Sequence, residues 1–198
     1  VAVPSDNPPP KKRRARGFPR WGFNLHLVGA LLDNHLQEVD NTVMGGLGFG
    51  FRFRPLPALA FDAGVDLMKG TDHEGYYRTE ASFLLNTLVF FNPRDVLQIY
   101  ALAGLGFTGA EATIEPRRGE ALVNRYDQDY SYVGGQFGLG MEVRVSRRFA
   151  VAADVLGFVR GRTDEHWQEL PELIDRNTQS SRETSGGGML RAGVTFYW

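Results

Sequence analysis

SYVGGQFGLGMEVRVSRRFAVAADVLGFVRG, residues 131–161, decides the fold. In its first half Val133, Phe137, Leu139, Met141, Val143 and Val145 recur at every second position or a multiple of it, and Gln136, Gly138, Gly140, Glu142 and Arg144 fill the gaps. After Ser146-Arg147 the alternation resumes, with Phe149, Val151, Ala153, Val155 and Val159 against Asp154 and Arg160. A period of two marks strands whose two faces meet different surroundings. Two such runs joined by so short a turn make an antiparallel hairpin, 131–145 with 148–161. Both are far longer than the roughly five or six residues usual in soluble sheets.

The same pattern extends in both directions. Working outward, the alternation predicts strands at 96–108 (Leu97, Ile99, Ala101, Ala103, Leu105 and Phe107 opposite Gln98, Tyr100, Gly104 and Gly106) and at 77–91 (Tyr77, Ala81, Phe83, Leu85, Val89 and Phe91 opposite Arg78, Glu80, Ser82 and Asn86). It predicts others at 58–69 (Leu59, Phe61, Ala63, Val65 and Leu67 opposite Asp62, Gly64 and Asp66) and at 41–54 (Val43, Leu47, Phe49, Phe51 and Phe53 opposite Arg52, Arg54 and three glycines). The first strand is 20–32, where Trp21, Phe23, Leu25, Leu27 and Leu31 oppose Asn24 and His26, and the last is 187–198. Pro55 and Pro57 are expected to turn the chain after the second strand.

Eight strands, an even number, predict an all-β fold: an antiparallel up-and-down transmembrane barrel over 20–198. A basic, proline-rich tail or linker at 1–19 precedes it, in which Lys11, Lys12, Arg13, Arg14 and Arg16, with Arg20 just beyond, face one acid, Asp6. No run of apolar residues is long enough for a membrane helix, so a spanning structure must be a closed barrel. Connections alternate between long (33–40, 70–76, 109–130, 162–186) and short (55–57, 92–95, 146–147), the asymmetry of external loops and periplasmic turns. Both termini are then expected in the periplasm. A start at Val1, with no apolar leader, is as expected after removal of a secretory signal. The absence of cysteine excludes disulfides and thiolate chemistry.

The less apolar face carries Arg52, Arg54, Arg78, Arg144, Arg160 and Arg191 with Asp62, Asp66, Glu80, Glu142 and Asp154, charges that nearly cancel. A soluble ligand barrel would turn its apolar face inward, and a membrane barrel turns it to lipid. Glycine-rich and lysine-poor, this face suits a narrow lumen filled by side chains. It predicts a closed charge network, with a narrow porin or small-solute barrel as the alternative.

LRAGVTFYW, residues 190–198, resembles the terminal-strand signature of outer-membrane proteins, with tryptophan where phenylalanine is common. The stretch 20–198 resembles the eight-stranded barrels of the outer membrane protein A transmembrane-domain superfamily. The resemblance implies residence in the bacterial outer membrane among its lipids and lipopolysaccharide. It also implies that the barrel-assembly machinery recognises Leu190, Val194, Phe196 and Trp198. Some eight-stranded barrels of this kind modify lipopolysaccharide acyl chains through His and Ser. Here His26 lies on the lumen face, and His35, His73 and His166 lie in loops. Ser82 faces the lumen, and Ser180, Ser181 and Ser185 are assigned to loops. No His–Ser pair occupies a rim position, so no catalytic residue is assigned and the chain is not expected to be an enzyme.

The loops are where binding resides on a rigid scaffold. Region 109–130 carries Glu111, Glu115, Glu120, Asp127 and Asp129, and region 162–186 carries Asp164, Glu165, Glu169, Glu172, Asp175 and Glu183. Their spacing is not that of a calcium hand, so no metal or cofactor is expected. A structural, adhesive or interaction role with a cell-wall or surface ligand follows, for a monomer. The basic tail would attract nucleic acid only in the cytosol, so none is expected as a partner. Trp21, Tyr76, Tyr77, Tyr130, Tyr132, Tyr197 and Trp198, near strand ends, are expected to form interfacial girdles.

Overall fold

The computed structural model describes residues 19–32, 42–71, 77–114, 126–164 and 184–198. Its strands are β1 (Trp21–Leu32), β2 (Thr42–Leu56), β3 (Leu59–Thr71), β4 (Tyr77–Phe90), β5 (Leu97–Ile114), β6 (Tyr126–Arg144), β7 (Phe149–Arg162) and β8 (Thr184–Tyr197). Each pairs antiparallel with its neighbours in sequence, and β8 pairs with β1 to close the barrel. Leu25 lies opposite Val194 across that seam, and Trp198 donates its N–H to the Trp21 carbonyl at 3.0 Å. Closure leaves no unpaired edge, which a lipid environment demands. Even the shortest strand, β1, covers about 40 Å along its axis at the usual rise, enough for about 30 Å of hydrocarbon at an ordinary tilt.

The apolar face turns outward. Leu27, Phe49, Phe83, Leu105, Phe137, Val155 and Leu190 are exposed, whereas Arg54, Arg78, Glu80 and Glu142 on the other face are almost completely buried. Apolar side chains pointing away from a buried charged interior are stable only where the surroundings are lipid. Glycines on the inner face make room for the large side chains. A Cβ on Gly140 would collide with the Tyr100 ring and the Asp154 carboxylate, and one on Gly48 would run into Asp66 and His26.

The elements depart from the sequence pattern at their ends. β2 continues through Pro55 to Leu56, with a register shift between Phe53 and Leu56, and the turn falls at Pro57 and Ala58. Proline lacks only the donor, and at a strand end beside such a shift no ladder bond needs it. β5 and β6 run beyond 108 and 131 as a paired extension, Ala110 opposite Tyr130 and Ile114 opposite Tyr126. The connection expected at 109–130 therefore narrows to 115–125, and that at 162–186 narrows to 163–183. Ser185, assigned above to a loop, lies in β8 and accepts from Arg160 Nε at 3.1 Å. The tail from Lys11 to Arg16, Tyr76, His35, His73, His166, Ser180, Ser181 and the acids between 115 and 125 and between 165 and 183 lie outside the described residues.

Candidate functional site

The lumen is layered. At the short-turn end, register sets Arg52 on β2 opposite Asp62 on β3, and the guanidinium donates to both carboxylate oxygens at 2.8 Å. This is the bidentate fork that makes arginine suit a carboxylate. Its Nη1 also donates across the barrel to Glu142 Oε2 at 2.7 Å, which accepts from the Tyr197 hydroxyl at 2.7 Å as well. The other oxygen of Glu142 faces Arg144 Nε at 2.8 Å, and Arg144 lies 4.0 Å over the Tyr197 ring. Below them Arg54 donates to the Pro57 carbonyl and to Gln98 Oε1, and stacks on Phe90 at 3.8 Å.

Towards mid-barrel, His26 lies between Asn24 and Asp66, with Nε2 2.8 Å from Asp66 Oδ1. Arg191 stands 3.9 Å from both Asp66 and Asp154, and the Tyr100 hydroxyl donates to Asp154. A polar cavity of about 40 Å³ adjoins these groups, lined by His26, Arg52, Asp62, Tyr100, Asp154 and Arg191. That is room for water.

An apolar layer follows. Val28, Ala30, Met44 and Met68 pack with Leu32 and Met189, and Met189 also meets a second cluster, Ala60, Leu88, Phe90, Tyr100, Leu102 and Leu156, which runs beside the charged groups to Arg54 at the short-turn end. Above it a second charged cluster is built around Glu80. Arg160 donates to both Glu80 oxygens at 2.8 and 2.9 Å, and Arg78 Nε donates to Oε1 at 2.7 Å. Tyr132 stacks with Arg160 at 4.3 Å, and Arg162 lies 4.7 Å over Tyr130. Just beyond β7, hydrogen bonds from Arg162 hold the Asp164 carboxyl below the usual carboxylate range.

All eleven charged residues singled out from the alternation lie on this inner side, in two separate groups rather than one. Tyr130, Tyr132 and Tyr197, expected in interfacial girdles, are buried inside as ring and hydroxyl partners of the arginines. Trp21, Tyr77 and Trp198 are exposed at the strand ends. Parity already separates these sets, because Tyr132 and Tyr197 share the register of Gln136 and Thr195. Arg162 and Tyr100 complete the network. Leu190, Val194, Phe196 and Trp198 all point outward at β8 and its end. No group of three or more metal-binding side chains occurs among the described residues.

A family model described as the outer membrane protein beta-barrel domain matches residues 12–179. The chain belongs to the outer membrane protein beta-barrel domain family. Its place is accordingly the outer membrane, and its strands are transmembrane strands. Solved structures of outer-membrane barrels share the fold. Neisserial surface protein A superposes with a TM-score of 0.58 at 14% identity, covering 90% of this chain and 97% of that one. The attachment invasion locus protein of Yersinia pestis gives 0.56 at 10% identity, over 91% and 99% of the two chains. A major outer membrane protein from Thermus thermophilus gives 0.56 at 11% identity, over 90% and 99%. No curated protein matches by sequence.

Proposed function

We propose that this member of the family is a non-catalytic, monomeric barrel with a closed lumen, which serves as a rigid stem for a structural, adhesive or interaction role of its long connections. The observation that supports this reading best is the filling of the lumen. Arg52 bridges Asp62 and Glu142 across it, Met44, Met68 and Met189 follow, and Glu80 gathers two arginines above them. His26 is engaged by Asn24 and Asp66, which leaves it no serine to activate. The attachment invasion locus protein is named for attachment, and its scaffold is the one seen here. Planar-bilayer recording of the purified protein is expected to show no steady ion current. A stable open conductance would replace this reading with transport.

In our proposed orientation both termini and the three short turns are periplasmic, and the connections at 33–41, 72–76, 115–125 and 163–183 are external, where lipopolysaccharide and surface ligands lie. Protease added to intact cells is expected to cleave within 115–125 or 165–183 and to spare Lys11–Arg16. Cleavage confined to the basic segment would invert the assignment. During assembly the outward row Leu190, Val194, Phe196 and Trp198 is the surface we assign to the barrel-assembly machinery.

A further inference from the structure

The short-turn end carries positive charge that the lumen does not use. Arg20 precedes Trp21 at the entry to β1, Arg94 lies in the β4–β5 turn, and Arg147 and Arg148 make the β6–β7 turn; all four are exposed. Their guanidinium groups have no ion pair or side-chain hydrogen bond among the described residues. The one acid of these turns, Asp95, accepts from Asn92 Nδ2 at 3.1 Å and offsets one of the four positive charges, which leaves the rim net positive. The opposite end contrasts with this, because Arg78 and Arg160 share Glu80 and Arg162 holds Asp164. Like charges gathered on one rim repel one another, and an anion between them removes that cost.

The position of these arginines says which anion. Each stands within a few residues of a lipid-facing side chain at the end of a strand: Arg20 beside Trp21 (50% exposed), Arg94 between Phe91 (64%) and Val96 (67%), and Arg147 beyond Val145 (64%). Trp198 closes the same ring of apolar residues. Guanidinium groups just past the edge of the apolar band lie at the level of lipid phosphates, and their planar donor fork matches a phosphate. The basic run Lys11–Arg16 joins the barrel through this same end. We propose that the short-turn end is an arginine collar that binds the phosphate headgroups of anionic phospholipids in the adjoining leaflet. A hollow of about 480 Å³ bordered by Arg94, Asp95, Gln98, Arg144 and Arg147 adjoins the rim, and with three arginines to one acid a soluble anion is the competing occupant. The inference rests on the proposed orientation, which sets the short-turn end in the phospholipid leaflet; vesicles with phospholipid in both leaflets test the collar itself whichever way the barrel inserts.

Trp21 and Trp198 are built-in reporters at the collar, and Trp167→Phe removes the third tryptophan. The barrel is reconstituted in vesicles of phosphatidylcholine with increasing phosphatidylglycerol, one lipid or the other brominated, and tryptophan quenching gives their relative association. Phosphatidylglycerol is expected to associate about twofold to fivefold more strongly, and less so as salt rises. Replacing Arg20, Arg94, Arg147 and Arg148 together by glutamine should bring the two lipids to equality. Replacing all four by lysine, which keeps the charge and loses the fork, should leave a reduced preference. Circular dichroism and unheated gel mobility confirm insertion of each variant. If the glutamine variant does not insert, the salt series and the lysine variant decide. Equal quenching by both lipids in the parent overturns the proposal. So does loss of the preference in inorganic phosphate but not in chloride of equal ionic strength, which would assign the site to a soluble anion.

Discussion

Glu142→Ala is expected to destabilise the inserted barrel by about 3–5 kcal/mol, because it strips a fully enclosed carboxylate from two arginines at once. Arg52 retains Asp62, on which its Nε and Nη2 form a bidentate pair. Arg144 loses the carboxylate at 2.8 Å and keeps the Tyr197 ring, a weaker partner for a buried cation. The Tyr197 hydroxyl loses its acceptor as well. Glu142→Gln keeps an acceptor oxygen without the charge and should cost less than alanine. Urea unfolding in phospholipid vesicles, followed by tryptophan fluorescence, measures both. A loss below about 1 kcal/mol for the alanine variant would mean that the network is as hydrated as a surface pair. The same variant should open no large pore, since the methionine layer and the Glu80 cluster still obstruct the other half of the lumen.

Alternation made the fold legible, because a one-residue step carries a side chain from lipid to lumen and nearly every strand obeys it. Tyr197 shows how far that signal reaches. Its parity with Thr195 sets it inside, while its place near a strand end suggests an interfacial girdle, and the enclosed Glu142 acceptor goes with the interior position. What alternation does not carry is register. Nothing in the local sequence near Glu80 points to Arg160, eighty residues away, and the pairing arises only once β4 and β7 face each other across the closed barrel. Strand ends were also poorly marked. Residues 109–114 and 126–130 extend past the apolar band, so Glu111 and Asp129 take outward positions held elsewhere by leucine and phenylalanine. Thr184, Ser185 and the glycines after them begin β8 without any apolar side chain to announce it.

Phe83→Arg is expected to cost about 2–4 kcal/mol of insertion, the value for an arginine forced to the middle of the hydrocarbon. Phe83 lies midway along β4, beside Val65 on β3 and Phe107 on β5, and its ring is 45% exposed on the outer wall. From there either end of the strand is about 20 Å away, well beyond the reach of an arginine side chain seeking headgroups. Tyr77, at the start of the same strand and 74% exposed, supplies the control. Tyr77→Arg places the charge at the interface and should cost no more than about 1 kcal/mol. Refolding both variants into vesicles and comparing their unfolding free energies therefore reads depth directly. Equal costs at the two positions would mean that β4 does not present Phe83 to the bilayer centre, whereas a difference of a few kcal/mol is what a transmembrane strand requires and the outer wall of a water-soluble barrel would not produce.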